Sequence, residues 1–296
     1  MDALTGRNAF ITGGASGIGL AMAQAFLNEG MNVAIADVDA DALAAAQESL
    51  AGSNAKVVAI ELDVTNRARF VAAAEEAEAA LGPIHVLCNN AGVYRGGTLN
   101  AVTYEDWYWV MGVNVGGVVN GVQTFVQRMQ QHGEGGHIVN TASMAGVATQ
   151  PGMGVYNTSK FAVVGLSEAM RTDLAPLGIG VSVLCPGMVR TRILESERTR
   201  PAHYEVNAEA AVAAAAAQSE LMNLAMNAGI EVGEVAEQVV AAVKADALYI
   251  FPHPELKGAV EARATAMLDA FGEPDPERLA AQEQFMAALL GGSTDE

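Results

Sequence analysis

A short apolar run, Asn8-Ala9-Phe10-Ile11, passes directly into Thr12-Gly13-Gly14-Ala15-Ser16-Gly17-Ile18-Gly19. A strand that ends in glycines and continues as a helix gathers backbone N–H groups at the positive end of that helix, where a pyrophosphate can sit. A glycine-rich turn alone is weak evidence. Asp37, at the end of the next apolar run, strengthens it. An acid there can accept both hydrogen bonds of an adenosine ribose diol, and it repels an added 2′-phosphate. No lysine or arginine stands beside Asp37 in the sequence. The pattern predicts a dinucleotide site that prefers NAD to NADP; its other reading is a plain turn with a solvent-facing aspartate.

The rest of the chain repeats this opening. Apolar runs at 8–12, 32–37, 56–63, 85–89, 136–143, 180–186 and 247–251 alternate with helical patterns at 19–29, 40–50, 66–81, 105–131 and 155–177. The runs are continuous in Val, Ile, Leu and Ala, as strands buried on both faces should be. Alternation of this kind predicts an α/β fold, a Rossmann-type doubly wound parallel sheet with right-handed crossovers. A chain of 296 residues is long enough for one such domain, expected over 1–272. Two stretches depart from the alternation. Residues 192–229 are rich in alanine and methionine (Met222, Met226) and predict a substrate-binding lid. The tail, 273–296, carries Phe285, Met286, Leu289 and Leu290 and predicts a helix docked on its own domain or on another subunit.

Charge and composition exclude several classes. With 16 basic and 34 acidic residues the net charge is −18, and no basic cluster offers a local exception, so no nucleic-acid partner is expected. Cys88 and Cys185 each lie in an apolar run and read as small buried hydrophobes. Five scattered histidines without paired spacing predict no metal site. The long uncharged stretch 107–127 carries Asn114, Asn120, Gln123 and Gln127 and reads as a buried helix, not a membrane span. A cytoplasmic protein without a membrane partner is the expectation.

Chemistry concentrates at the carboxyl ends of the predicted strands, where open α/β sheets form their crevice. Asp63-Val64 ends the third run and Asn89-Asn90-Ala91-Gly92 the fourth. Asp63 can accept from an adenine amino group or cap the helix that follows. Tyr156 and Lys160 stand one helical turn apart on one face. A nearby cation lowers a phenol pKa by about 1–3 units, which would make Tyr156 a general acid/base. Ser143 ends the fifth run. Asn114, alone in an apolar helix, needs buried partners, which a water shared with Lys160 would supply.

Together these residues resemble the short-chain dehydrogenase/reductase family, closely from about residue 4 to 191 and more loosely to 251. Thr12, Gly13, Gly17 and Gly19 match its cofactor loop, Asn89 to Gly92 its Asn-Asn-Ala-Gly segment, and Asn114, Ser143, Tyr156 and Lys160 its catalytic tetrad. Pro186, Gly187 and Thr191 match the segment that clasps the nicotinamide end. The resemblance implies an NAD site formed by Gly13, Ser16, Gly17, Ile18, Gly19, Asp37, Asp63, Val64, Asn90, Ala91, Gly92, Tyr156, Lys160, Pro186, Gly187, Val189 and Thr191. It assigns substrate orientation to Ser143, proton exchange to Tyr156, ribose binding to Lys160 and a relay water to Asn114. It also implies a homo-oligomer, tetramer or dimer, with Tyr108, Trp109, Phe125 and Phe161 as candidate contact residues.

Tyr94, Ala145, Thr149, Met153, Met188, Ile193 and the 192–229 segment are candidate pocket residues, which predict a bulky hydrophobic secondary alcohol or ketone. Arg95, Arg190 and Arg192 read as a solvated rim, and His253 as a hydrogen-bonded structural histidine. The segments around Gly133–His137 and Tyr249–Glu255 are similar to bacterial dehydrogenases of lignin-derived aryl alcohols; steroid and terpene alcohols stay open. Two other classes compete. A sugar-nucleotide epimerase also uses Tyr-x-x-x-Lys, but with shorter spacing between its first glycines than Gly13 to Gly17. A non-catalytic NAD-binding redox sensor would not need the intact tetrad.

Overall fold

In the computed structural model, which describes residues 3–52, 55–204, 226 and 228–291, parallel strands and helices alternate. β1 (Asn8–Thr12) leads through α1 (Gly17–Asn28) to β2 (Asn32–Asp37), then through α2 (Ala40–Leu50) to β3 (Val57–Glu61). α3 (Arg67–Leu81) and β4 (Val86–Asn89) follow, then α4 (Tyr104–Met111), α5 (Gly117–His132) and β5 (Gly136–Thr141). α6 (Gly154–Leu174) crosses to β6 (Ile179–Leu184), and α7 (Val232–Ala245) to β7 (Tyr249–Ile250). The spatial order is β3-β2-β1-β4-β5-β6-β7, every pairing parallel. The order reverses between β1 and β4, so the switch-point crevice opens where the Thr12 loop and the Asn89 loop diverge.

Two apolar layers hold the sheet. On one face Met22 and Phe26 of α1, Leu43 of α2 and Val235, Val239 and Val243 of α7 pack on Ile11, Val33 and Ile35. On the other, Phe70 of α3, Phe125 of α5 and Met170 of α6 cover Phe10 and Leu87. Phe10 and Phe125 approach to 4.9 Å between ring centres, and Phe70 meets Phe125 edge-on at 6.5 Å. Trp109 and Phe125 are buried within the chain, the core role that their apolar character equally allows, and Tyr108 is exposed.

Most strands are shorter than the apolar runs. Leu62 and Asp63, Ala142 and Ser143, and Cys185 and Pro186 lie beyond the paired residues of their strands, because there the chain leaves the ladder to build the crevice rim. The single helix expected over 105–131 is interrupted by a five-residue π-helical turn, Gly112–Gly116, with Asn114 at its centre. Gly117, which follows it, packs closely on the third strand's exit: a Cβ there would lie 2.7 Å from Cγ2 of Val64. Such wide turns recur at functional sites.

The contacts divide the chain into two units, Met1–Leu256 and Lys257–Glu296. The boundary falls earlier than the expected 272, because α8 (Lys257–Asp269) has an apolar content too scattered to bury any residue. The second unit also contains α9 (Pro276–Gly291), on which Phe285 and Met286 are exposed; the side chains of Leu289 and Leu290 lie outside the described set. Of the lid segment, Ile193–Thr199 and Ala202–Tyr204 form short 3-10 turns, and Met222 falls outside the described residues. Among the described residues no helix is long and apolar enough to cross a membrane, and no group of three metal-binding side chains occurs.

Candidate active site

The three strand ends at the switch point are tied together by side chains. The Thr12 hydroxyl donates to the carbonyl of Cys88 (3.3 Å) and accepts from the N–H groups of Asn90 (2.9 Å) and Ala91 (3.1 Å). The Asn90 amide donates to the carbonyls of Thr12 (3.1 Å) and Gly13 (3.3 Å), and its oxygen accepts from Thr141 (3.2 Å). Within this frame the glycine loop is compressed. Gly13 has φ +63°, and a Cβ on Gly19 would lie 2.1 Å from the Gly13 carbonyl oxygen. No other residue type fits, so the loop keeps an open backbone cradle at the start of α1, suited to a pyrophosphate.

Asp37 reaches back to the cradle. Its carboxylate accepts from the N–H of Ala15 and of Asp39, each at 3.2 Å. No lysine or arginine adjoins Asp37 in the sequence, but the fold brings cations to its neighbour Asp39. Arg198, from the lid turn, bonds the Asp39 carboxylate at 2.8 Å, and Arg192, paired with Glu195, lies close enough to act on Asp39. The N–H of Ala42, with Arg198, holds the Asp39 carboxyl below its usual value. Arg198 is therefore paired with Asp39, while the Asp37 carboxylate lines the cleft. Asp63 accepts from the N–H and hydroxyl of Thr65 (2.9 and 2.8 Å), a local turn that leaves it on the cleft wall.

One cleft of about 440 Å³ runs along the strand ends. Every residue expected to bind the dinucleotide lines it except Gly19, which shapes the cradle from behind, and Ser143 joins them. The residues fit a dinucleotide: the cradle lies at one end, and Tyr156 and Lys160 at the other.

At that second end the expected constellation assembles with two departures. Lys160 is 4% exposed. It donates to the carbonyl of Thr141 at 2.9 Å and lies 5.6 Å from the centre of the Tyr156 ring. Burial pulls the Lys160 amine down to about 8 and pushes the Tyr156 phenol up to about 12, with the nearby Ser143 side chain opposing the latter. In place of the expected lowering by Lys160, the phenol is raised, because desolvation is the largest influence on it. Asn114 is the second departure. Its amide donates to Val93 O and Ser159 Oγ, both at 3.0 Å, and its oxygen accepts from Val93 N–H at 2.8 Å. The protein itself satisfies this amide, with no need for a shared water, and Asn114 sits behind Gly92, whose Cβ position lies 3.3 Å from its oxygen. Ser143 Oγ donates to the Pro186 carbonyl (3.3 Å) and accepts from Ala145 N–H (3.1 Å).

Beyond Tyr156 the cleft turns apolar. Tyr94 meets the Tyr156 ring edge-on at 5.2 Å, and Ala145, Met153, Met188 and Ile193 line the wall as expected. Thr149 does not; its neighbour Gln150 does. Ser196 and Tyr204, of the expected 192–229 segment, also line the wall, and Trp109 joins them without having been marked by its sequence. Arg95 is not the solvated rim expected of it. Asp106 is fully buried and accepts from Arg95 Nε at 2.9 Å and from Arg200 Nη1 at 2.7 Å. Burial pushes the Asp106 carboxyl up, but Thr103 N–H and the two guanidinium groups prevail and hold it below its usual value. Arg200 stacks on Trp109 at 4.9 Å and donates to Tyr204 O, so this buried ion cluster ties the Ala202–Tyr204 turn to α4. Asp106 also completes the capping box of α4 with Thr103. Arg190 pairs with Glu231.

Tyr156 and Lys160 thus stand beside a crevice whose lining fits a dinucleotide, the arrangement of a nucleotide-dependent oxidoreductase. Residues 7–202 match the family model of the short chain dehydrogenases, and the chain belongs to that family. It is 38% identical to a C alpha-dehydrogenase of Sphingobium sp. (strain NBRC 103272 / SYK-6), over 97% of this chain and 93% of that protein. It is 33% identical to a CLA biosynthesis dehydrogenase/reductase of Lactiplantibacillus plantarum, over 90% and 94% of the two chains. A short chain dehydrogenase/reductase from Burkholderia phymatum, solved in complex with NAD, superposes with a TM-score of 0.87 at 39% identity, covering 93% of this chain and 99% of that one.

Proposed function

We propose that the protein is an NAD-dependent dehydrogenase that interconverts a bulky hydrophobic secondary alcohol, foremost an aryl alcohol, and its ketone. The observation that carries this reading is the convergence of Ser143, Tyr156 and Lys160 where the dinucleotide cleft meets a wall of Tyr94, Trp109, Met153 and Tyr204. Aromatic side chains and methionines around the reacting end suit a bulky apolar substrate. Similarity to a protein named C alpha-dehydrogenase over nearly the whole chain supports the alcohol chemistry.

In the oxidative direction Tyr156 Oη takes the hydroxyl proton while Ser143 turns its hydroxyl from the Pro186 carbonyl to the substrate oxygen. Lys160, fixed by Thr141, keeps a cation beside the phenol and favours its ionised form. Bound in the cleft, NAD supplies the hydride acceptor. In reduction Tyr156 returns the proton to the carbonyl oxygen.

The test is absorbance at 340 nm across aryl, steroid and terpene secondary alcohols. NADH formation with the aryl group is the expected result. Turnover confined to steroids or terpenes would replace the substrate class, and silence despite tight NAD binding would favour a redox sensor. With the active alcohol, NAD should exceed NADP in kcat/KM by about tenfold or more, since Asp37 repels a 2′-phosphate and Asp39 occupies Arg198. A larger constant for NADP would overturn the role of Asp37.

A further inference from the structure

His253 follows β7 and is 5% exposed, yet it does not line the cleft. Both of its ring nitrogens are engaged by one stretch of backbone. Nδ1 accepts from the Gly187 N–H at 3.0 Å, and Nε2 lies 2.9 Å from the Met188 carbonyl oxygen, to which it donates. An N–H on one side and a carbonyl on the other specify the neutral Nε2–H tautomer. The packing is as close as the bonding: a Cβ on Gly187 would lie 3.0 Å from Cγ and Cδ2 of the imidazole and 2.9 Å from Leu256 Cδ1.

That stretch belongs to the reacting end. The carbonyl of the preceding residue, Pro186, accepts from Ser143 Oγ (3.3 Å) and Met144 N–H (2.9 Å). The far side of the same stretch is held by Ile230, whose N–H donates to Met188 O and whose carbonyl accepts from Arg190 N–H, both at 3.1 Å. Pro186, Gly187, Met188 and Val189 line the cleft, beside Ser143 of the reacting end. With strand pairing ended at Leu184, these side bonds take over the work of the ladder.

We propose that His253 is a positioning residue for the nicotinamide half of the cofactor: it fixes the 186–188 backbone through both ring nitrogens and thereby sets the wall against which that half rests. The inference rests on the NAD-dependent reading above. It explains why a histidine is buried outside the cleft at the end of a two-residue strand, where a purely apolar side chain would leave the Gly187 N–H without its partner.

Its test separates the two halves of the cofactor by direct binding, so no substrate is needed. NAD spans the whole cleft, whereas ADP-ribose lacks the nicotinamide and occupies only the part shared by both. His253→Phe keeps an aromatic ring without either hydrogen bond. It should raise the calorimetric Kd for NAD by about tenfold, the effect of two lost hydrogen bonds, and leave the Kd for ADP-ribose within about twofold. His253→Asn keeps an acceptor toward Gly187, and its Kd for NAD should rise by only about threefold. It also serves if the phenylalanine variant fails to fold. An unchanged Kd for NAD in the folded variants overturns the proposal, as does an equal rise for NAD and ADP-ribose, which marks general loosening. Failure of the unaltered protein to bind NAD would instead overturn the underlying dehydrogenase reading.

Discussion

Tyr156→Phe lowers kcat/KM for the alcohol by about 10³-fold while the Kd for NAD stays within about twofold. General acid/base groups contribute roughly 10²–10⁴, and here the phenol is the group with a proton to exchange at the junction of the two cleft regions. The substitution removes one oxygen and keeps the ring that meets Tyr94 edge-on at 5.2 Å, so the wall and the cradle keep their shapes. The pH dependence adds a second readout. Burial pushes the phenol up to about 12 in the cofactor-free protein, and the base needed for oxidation is the ionised form. Oxidation by the unaltered enzyme should therefore accelerate as pH rises through the neutral range, and the residual activity of the variant should lack that rise. Steady-state kinetics between pH 6 and 10 measures both, and a loss smaller than about tenfold would assign proton exchange to another group.

The sheet and the cradle were legible because their signals are local. Continuous apolar runs mark buried parallel strands, and a glycine loop followed by an acid at the next strand end compresses one βαβ unit into a short stretch of sequence. What escaped depends on contacts between distant segments. Nothing near Asp39 announces Arg198, and nothing near Gly187 announces His253; the sheet order brings each pair together. Arg95 looked like a surface charge because its buried partner Asp106 also caps α4, and one residue with two roles shows only the nearer one in sequence. Asn114 was marked as a polar residue in an apolar helix, but the π-turn that aims it at Val93 follows from glycines whose spacing alone does not specify it. The phenol differs for a related reason: spacing shows that Tyr156 and Lys160 are neighbours, while the burial that raises the phenol and lowers the amine needs the fold.

Lys160→Met should stabilise the cofactor-free protein at pH 7 and abolish turnover. Lys160 is buried, and its amine is pulled from 10.5 down to about 8 by desolvation. A lysine whose folded pKa lies below its unfolded one costs stability wherever both states are protonated, and the cost is relieved as pH rises from about 8 toward 10.5. A drop of that size corresponds to roughly 3 kcal/mol. Against it stands the hydrogen bond to the Thr141 carbonyl, about 1 kcal/mol, and methionine fills much of the lysine stem's volume. The net expectation is a gain of about 2 kcal/mol at pH 7, or roughly 5 °C in Tm. Two thermal scans decide it. Between pH 7.5 and 9.5 the unaltered protein should gain stability relative to the variant, so the Tm difference narrows. A variant less stable at pH 7, or a difference independent of pH, would show that the Thr141 bond outweighs the buried charge. The same cation that weakens the empty protein is the one placed to favour the phenolate, so the stability lost at this position is retained for the sake of turnover.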